Sequence, residues 1–80
     1  MNLVEKFGMR AANLETRRAL TQVIGVAMES GLSELETLGN AQIIAINLAE
    51  IEKTAGNWNA RRAYRNAADI LARDTGEFFS

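Results

Sequence analysis

The sequence has 80 residues, which predicts one domain, 1–80, with a thin hydrophobic core. It contains no Cys and no His, which removes disulfides, thiol nucleophiles, histidine bases and the usual zinc ligands, so we expect no enzyme activity, cofactor or metal. The net charge is −1, no apolar run approaches the roughly 20 residues of a membrane span, and no signal-peptide pattern is present, which together predict a cytoplasmic protein without membrane contact.

The first predicted element is a helix over about residues 3–30. Asn2 stands three residues before a glutamate, which is the spacing of a capping box. The apolar stripe changes side between Gly8 and Asn13. The helix therefore either bends or breaks there, or it contacts different neighbours along its length. Gly31 is expected to end it, because glycine readily adopts the left-handed conformation that closes helices.

A short helix over residues 34–38 is predicted next. Ser33 and Glu36 have the spacing of a second capping box. Gly39 followed by Asn40 is typical of one helix ending and another beginning. The alternative is one continuous helix with Gly39 in its interior, at a cost of about 1 kcal/mol relative to alanine.

The central helix, residues 41–54, is the most apolar segment of the chain. Apolar residues at intervals of three and four predict one wide buried face, made of Ala41, Ile44, Ala45, Leu48, Ile51 and Ala55. Ile43 and Ile46 fall outside this face. They either belong to the core, if the first helix packs behind them, or form a docking stripe for a second subunit or a target.

A turn at Gly56 and Asn57 leads into the last helix, residues 58–73, which Gly76 is expected to end. The apolar side of this helix is rich in alanine and consists of Ala60, Ala63, Tyr64, Ala67, Ile70 and Leu71. Small side chains let two helix backbones approach closely, so we expect the last helix to pack beside the central one.

The segment 47–71 resembles one helical hairpin of the tetratricopeptide family. The residues at that family's packing positions are Leu48, Ala49, Gly56, Tyr64 and Ala68. Glu52 and Arg61 depart from the family pattern, and no second copy of the hairpin is visible. The resemblance implies antiparallel packing of two helices. It implies no function, because such repeats need about three copies to be stable.

Charges are separated along the chain. The acids of the middle part are Glu29, Glu34, Glu36, Glu50 and Glu52, without any Lys or Arg among them. From Lys53 to Arg73 the bases are Lys53, Arg61, Arg62, Arg65 and Arg73, against Asp69 alone. This separation indicates either ion pairs between neighbouring helices or two charged surfaces that face partners.

Four side chains on the last helix are candidates for partner contact: Trp58, Arg61, Arg62 and Arg65. They are interpreted either as phosphate contacts with the indole as a stacking surface, or as residues that pair with the acids of the preceding helix. A helix-turn-helix over residues 27–40 is a weaker hypothesis. Glu34 and Glu36 would lie in its recognition helix, where acids repel phosphates.

We therefore expect an all-α fold, a small bundle of three main helices plus the short one. The expected function is non-enzymatic binding of a protein partner, through Trp58, Arg61, Arg62, Arg65, Glu34, Glu36, Ile43 and Ile46. In size and charge pattern the chain resembles small anti-CRISPR inhibitors, which suggests an inhibitor or adaptor acting on a nucleic-acid-handling complex. The alternatives are a nucleic-acid-binding regulator that uses the arginine-rich last helix, and a homodimeric structural module.

Overall fold

The described residues of the chain form four helices. The computed structural model describes the backbone of residues 2–30 and 33–79, and the side chains of residues 2–30 and 33–73. The helices in this part are α1 (Leu3–Gly8), α2 (Leu14–Met28), α3 (Glu34–Ala55) and α4 (Trp58–Phe79). No strand occurs among the residues described, so the predicted all-α fold is confirmed.

The predicted first helix is broken into α1 and α2, which was one of its alternatives. Asn2 caps α1, because its side-chain oxygen accepts the backbone N–H three residues later at 2.9 Å. Asn13 begins α2 in the same way, by accepting the backbone N–H of Thr16 at 2.8 Å. The expected helix end at Gly31 lies outside the described residues.

The helix α3 is continuous, so the separate short helix 34–38 and a new start at Asn40 are wrong. Ser33 caps α3 as predicted, and its hydroxyl accepts the backbone N–H of Glu36 at 3.3 Å. Gly39 lies inside the helix. Packing of α3 against two neighbours offsets the cost of an interior glycine, which is only about 1 kcal/mol.

The connection between α3 and α4 consists of two residues. Gly56 has a φ of 80° and closes α3 in the left-handed conformation. The carbonyl of Asn57 accepts the N–H of Arg61 at 2.9 Å, and its side-chain amide donates to Glu52 Oε2 at 2.7 Å. The helix α4 runs through Gly76, so its predicted end was wrong: a glycine ends a helix only where the backbone leaves the helical conformation.

The helix α2 packs against all three other helices, whereas α3 and α4 form the most extensive pair. The largest fully buried apolar side chains are Phe7, Leu20, Val23, Ile24, Leu38 and Leu71, and half of them belong to α2. Most of the buried residues on α3 and α4 are alanines, which are Ala41, Ala45, Ala49, Ala63, Ala67 and Ala68. The expected packing of the last helix beside the central one is confirmed, with the two-residue link making the pair antiparallel.

Candidate binding surfaces

The helix α3 turns small side chains inward and two large ones outward. Ala41, Ala45 and Ala49 are at most 1% exposed, whereas Ile43 and Ile51 are 58% and 60% exposed. An ordinary surface helix has the opposite arrangement, with its large apolar residues in the core. The inward side of α3 is thus selected for close approach to its neighbours, and the outward side carries apolar area that this chain does not cover.

The predicted buried face of the central helix is displaced in the structure. Its centre is Ala45, and Ile51 lies six residues further, which is about 120° around the helix. Ile44 and Leu48 are half-buried at the edge of the core, and Ala55 is exposed. Ala41 and Ala45 are buried as predicted, and the prediction is wrong for Ile51 and Ala55. It gave large apolar residues the same weight as alanines, whereas the buried side of α3 consists mainly of alanines.

Ile43 and Ile46 were considered together and have different environments. Ile46 is half-buried and packs against the core cluster. Ile43 projects from the side of α3 that no other helix covers. Of the two, Ile43 therefore offers the larger exposed area to a docking partner.

The exposed side of α3 is uncharged over a long stretch. At intervals of three, four, four and three residues it carries Asn40, Ile43, Asn47, Ile51 and Thr54, which we call the outer face of α3; Asn40 is half-buried and the other four are exposed. The exposed Glu50 borders this face: it lies about 60° from the line of Asn47 and about 20° from that of Ile43. Depletion of charge is the compositional mark of the centre of a protein interface.

A second exposed surface lies on α4. Trp58, Arg62 and Arg65 follow one another at intervals of four and three, so they share one face, which we call the arginine face. The indole is 59% exposed. Asp69 continues the same line four residues later.

The arginines of this face are not neutralised by the preceding helix. Within residues 2–30 and 33–73, the structure has no ion pair that joins Arg62 or Arg65 to Glu50 or Glu52. Glu52 instead accepts the hydrogen bond from the turn amide. The internal pairing considered for these arginines is therefore not present in the part of the chain described.

Arg61 differs from its neighbours on α4. It is half-buried, and its Nε atom is enclosed without a hydrogen-bond partner among the described residues. Such an atom carries a desolvation cost. The first turn of α4 also lacks an acid, although the positive end of the helix dipole favours one there. The first turn of α4 thus has no carboxylate to stabilise the positive end of its helix dipole.

Glu34 and Glu36 are exposed in the first turn of α3. Acids at this position stabilise a helix through its dipole, so their local role is evident without a partner. They remain accessible as an acidic surface at the end of the α3–α4 hairpin opposite to the turn. Acids at the start of α3 also leave the helix-turn-helix hypothesis without support from charge.

A shallow groove separates α2 and α4. Its volume is about 290 Å³, and its lining consists of Glu15, Arg18, Ala19, Gln22, Asn59, Ala60, Ala63 and Tyr64. Tyr64 Oη donates a hydrogen bond to Gln22 Oε1 at 2.7 Å and bridges the two helices. The groove was not predicted from the sequence, because its two walls are far apart in the chain. Tyr64 and Gln22, for example, are separated by 42 residues, and local sequence patterns do not report such contacts.

Comparison with known protein families, with curated proteins and with solved structures finds no match to this chain. Among the residues described, no group of three or more His, Cys, Asp or Glu side chains could hold a metal ion. None of the helices in that part has both the length and the apolar content needed to cross a membrane.

Proposed function

We propose that this chain is a non-enzymatic protein-binding module that docks through the outer face of α3. One observation carries the proposal: Ile43 and Ile51 of α3 point outward, while Ala41, Ala45 and Ala49 point inward. Single exposed apolar side chains are common on protein surfaces and need no explanation. Here two of them share one uncharged helix face and adjoin the half-buried Ile44 and Leu48, so the apolar area is continuous.

The physical gain from covering this face is considerable. Each large aliphatic side chain contributes about 1.5–3 kcal/mol when it moves from water into a fully apolar environment. More than half of the surface of Ile43 and of Ile51 is still exposed to water, so more than half of this free energy remains available from binding. A partner that presents a complementary apolar helix or groove recovers it, which is the helix-in-groove mode of recognition.

The test is affinity capture from the native lysate, followed by substitution. Ile43→Glu and Ile51→Glu place a charge in the outer face and are expected to reduce recovery of a bound protein at least about tenfold. The matched control is Met9→Glu, since Met9 directly follows α1, is 69% exposed and lies beside residues of α1 and α2. Equal recovery with all three variants, each verified as folded by circular dichroism, would show that the outer face is not the docking site.

A second candidate function, nucleic-acid binding, is favoured by the arginine face. Trp58, Arg62 and Arg65 are exposed together, which suits stacking of a base and contact with phosphates. Against it stand Asp69 on the same face and a net charge of −1. Binding of single-stranded DNA that weakens steeply with salt, and is lost in R62E/R65E but kept in R18E, would favour this candidate over the first.

The narrower expectation of an inhibitor or adaptor of the anti-CRISPR kind stays a prediction. Its support is limited to the small size and to the exposed acidic and arginine surfaces at the two ends of the α3–α4 hairpin. Charge reversal of Glu34 and Glu36, compared with that of Arg62 and Arg65, will show which end contributes to any complex recovered.

A further inference from the structure

We propose that the outer face of α3 is covered by a second copy of this chain, in an antiparallel arrangement about a two-fold axis through Asn47. The inference rests on the proposed function, because it names the partner of the same face. Three observations support it: the symmetry of the residue pattern, the absence of charge on the axis, and the chemistry of the central side chain.

The outer face reads the same in both directions from its centre. Relative to Asn47, the isoleucines stand at −4 and +4, and uncharged polar residues stand at −7 and +7. A two-fold axis perpendicular to a helix exchanges such positions between the two copies. Ile43 of one copy then faces Ile51 of the second copy, and Asn40 faces Thr54. Positions at ±4 and ±7 share a face in any helix, so the observation that supports the pairing is the match of residue types at these four positions. The match does not extend to Ile44 at −3 and Glu50 at +3, which lie towards the rim.

Charge complementarity agrees with the same arrangement. In a two-fold interface each charge near the axis faces its own copy, and like charges repel. The five positions of the outer face carry none. Glu50, three residues from the centre, is exposed at the rim, where its carboxylate keeps its water.

Asn47 is suited to the position on the axis. A carboxamide both donates and accepts hydrogen bonds, so two copies of the same side chain can satisfy each other. A single asparagine in an apolar helix seam is also known to fix the register and number of helices. Asn47 is exposed in the isolated chain and makes no contact that such pairing would disrupt.

The predicted dimer is weak. The outer face spans 15 residues from Asn40 to Thr54, which is a rise of about 21 Å along the helix. With a helix about 10 Å wide, each copy buries only a few hundred Å², well below the roughly 800 Å² per partner of a standard interface. We expect a dissociation constant of roughly 10 μM to 1 mM.

The decisive experiment uses the absence of cysteine in the natural sequence. N47C, oxidised with glutathione disulfide, is expected to form a covalent dimer on the order of tenfold or more faster than T21C, an exposed control on α2. In a mixture of I43C and I51C, mixed dimers should dominate. In the proposed register, two copies of position 43 are about 12 Å apart along the helix, too far for a disulfide.

Sedimentation equilibrium provides the second measurement. The average mass of the natural chain should rise with concentration, I43Q should remain monomeric, and M9Q should behave like the natural chain. Three results would overturn the inference: a monomer at every concentration up to 1 mM, equal crosslinking of N47C and T21C, or preferential pairing of I43C with itself. If these occur while Ile43→Glu still abolishes capture of a different protein, the proposed function stands and only the second copy is wrong.

Discussion

Glycine stabilises the fold at Gly56, directly after α3, and destabilises it at Gly39, inside α3. Gly56 has a φ of 80°, a conformation that costs an L-residue about 1–2 kcal/mol. Gly39 lies in the interior of α3, and a Cβ added there would meet nothing within 4 Å. Its lack of a side chain therefore only adds flexibility to the unfolded chain and weakens the helix.

We expect Gly39→Ala to raise the free energy of unfolding by about 0.5–1 kcal/mol and Gly56→Ala to lower it by about 1–2 kcal/mol. Urea denaturation followed by far-ultraviolet circular dichroism measures both. Stabilisation of the chain by the substitution at Gly56, or a loss at Gly39, would contradict the assigned backbone conformations.

Local signals at single residues were predictable where the side chain itself makes the structure. Asn2 and Ser33 were identified as caps because each is followed by glutamate at the correct spacing. Asn13 was not identified as a cap because the residue three positions later is Thr16 and not a glutamate. Asn40 was taken for a cap because it follows Gly39, but neighbouring helices decide whether a glycine interrupts a helix, and they are not encoded locally.

At the scale of elements, the defining feature is the alanine contact between α3 and α4. Both helices have 22 residues, they form the most extensive helix pair, and the buried side of each consists mainly of alanines. The small side chains allow close packing along the pair, so that the dispersion attraction of many backbone and Cβ atoms replaces that of a few large side chains. This close packing also leaves no room for larger side chains at the alanine positions.

We expect Ala45→Leu to destabilise the protein by about 1–3 kcal/mol through overpacking, because Ala45 is fully buried. Ile43→Ala, only two residues away on the exposed side, should change stability by less than about 0.5 kcal/mol. Denaturation midpoints at low micromolar protein, where self-association is negligible, give the comparison. Equal effects of the two substitutions would mean that the helix is rotated relative to this description.

The existence and type of the main helices could be predicted because their apolar periodicity and turn residues are local properties. The rotation of α3 could not, since both of its sides carry apolar residues. Residue size, read together with the alanines of α4, is the signal that would have placed Ala41, Ala45 and Ala49 inside and Ile51 outside.

On the scale of the whole molecule, stability depends on few large side chains. A domain of this length is expected to have a free energy of unfolding of about 4–12 kcal/mol, and no disulfide supplements it. Leu20 on α2 is fully buried, and α2 contacts every other helix. The centre of the core thus differs from the most apolar segment of the sequence, which is α3.

Leu20→Ala should lower the free energy of unfolding by about 2–5 kcal/mol, a large share of the total, since it leaves a cavity at the centre. Leu14→Ala, at a site 56% exposed on the same helix, should cost no more than about 0.5 kcal/mol. Thermal denaturation distinguishes the two. A mild effect at Leu20 would place the core elsewhere than α2.

The placement of Trp58 has a practical consequence for spectroscopy. It is the single tryptophan of the chain, and its indole already meets water in the native state. Emission from this ring will therefore respond little to denaturation, whereas a molecule that covers the hairpin turn will shift it towards the blue. The chain carries a built-in optical reporter of occupancy at one end of its longest pair of helices.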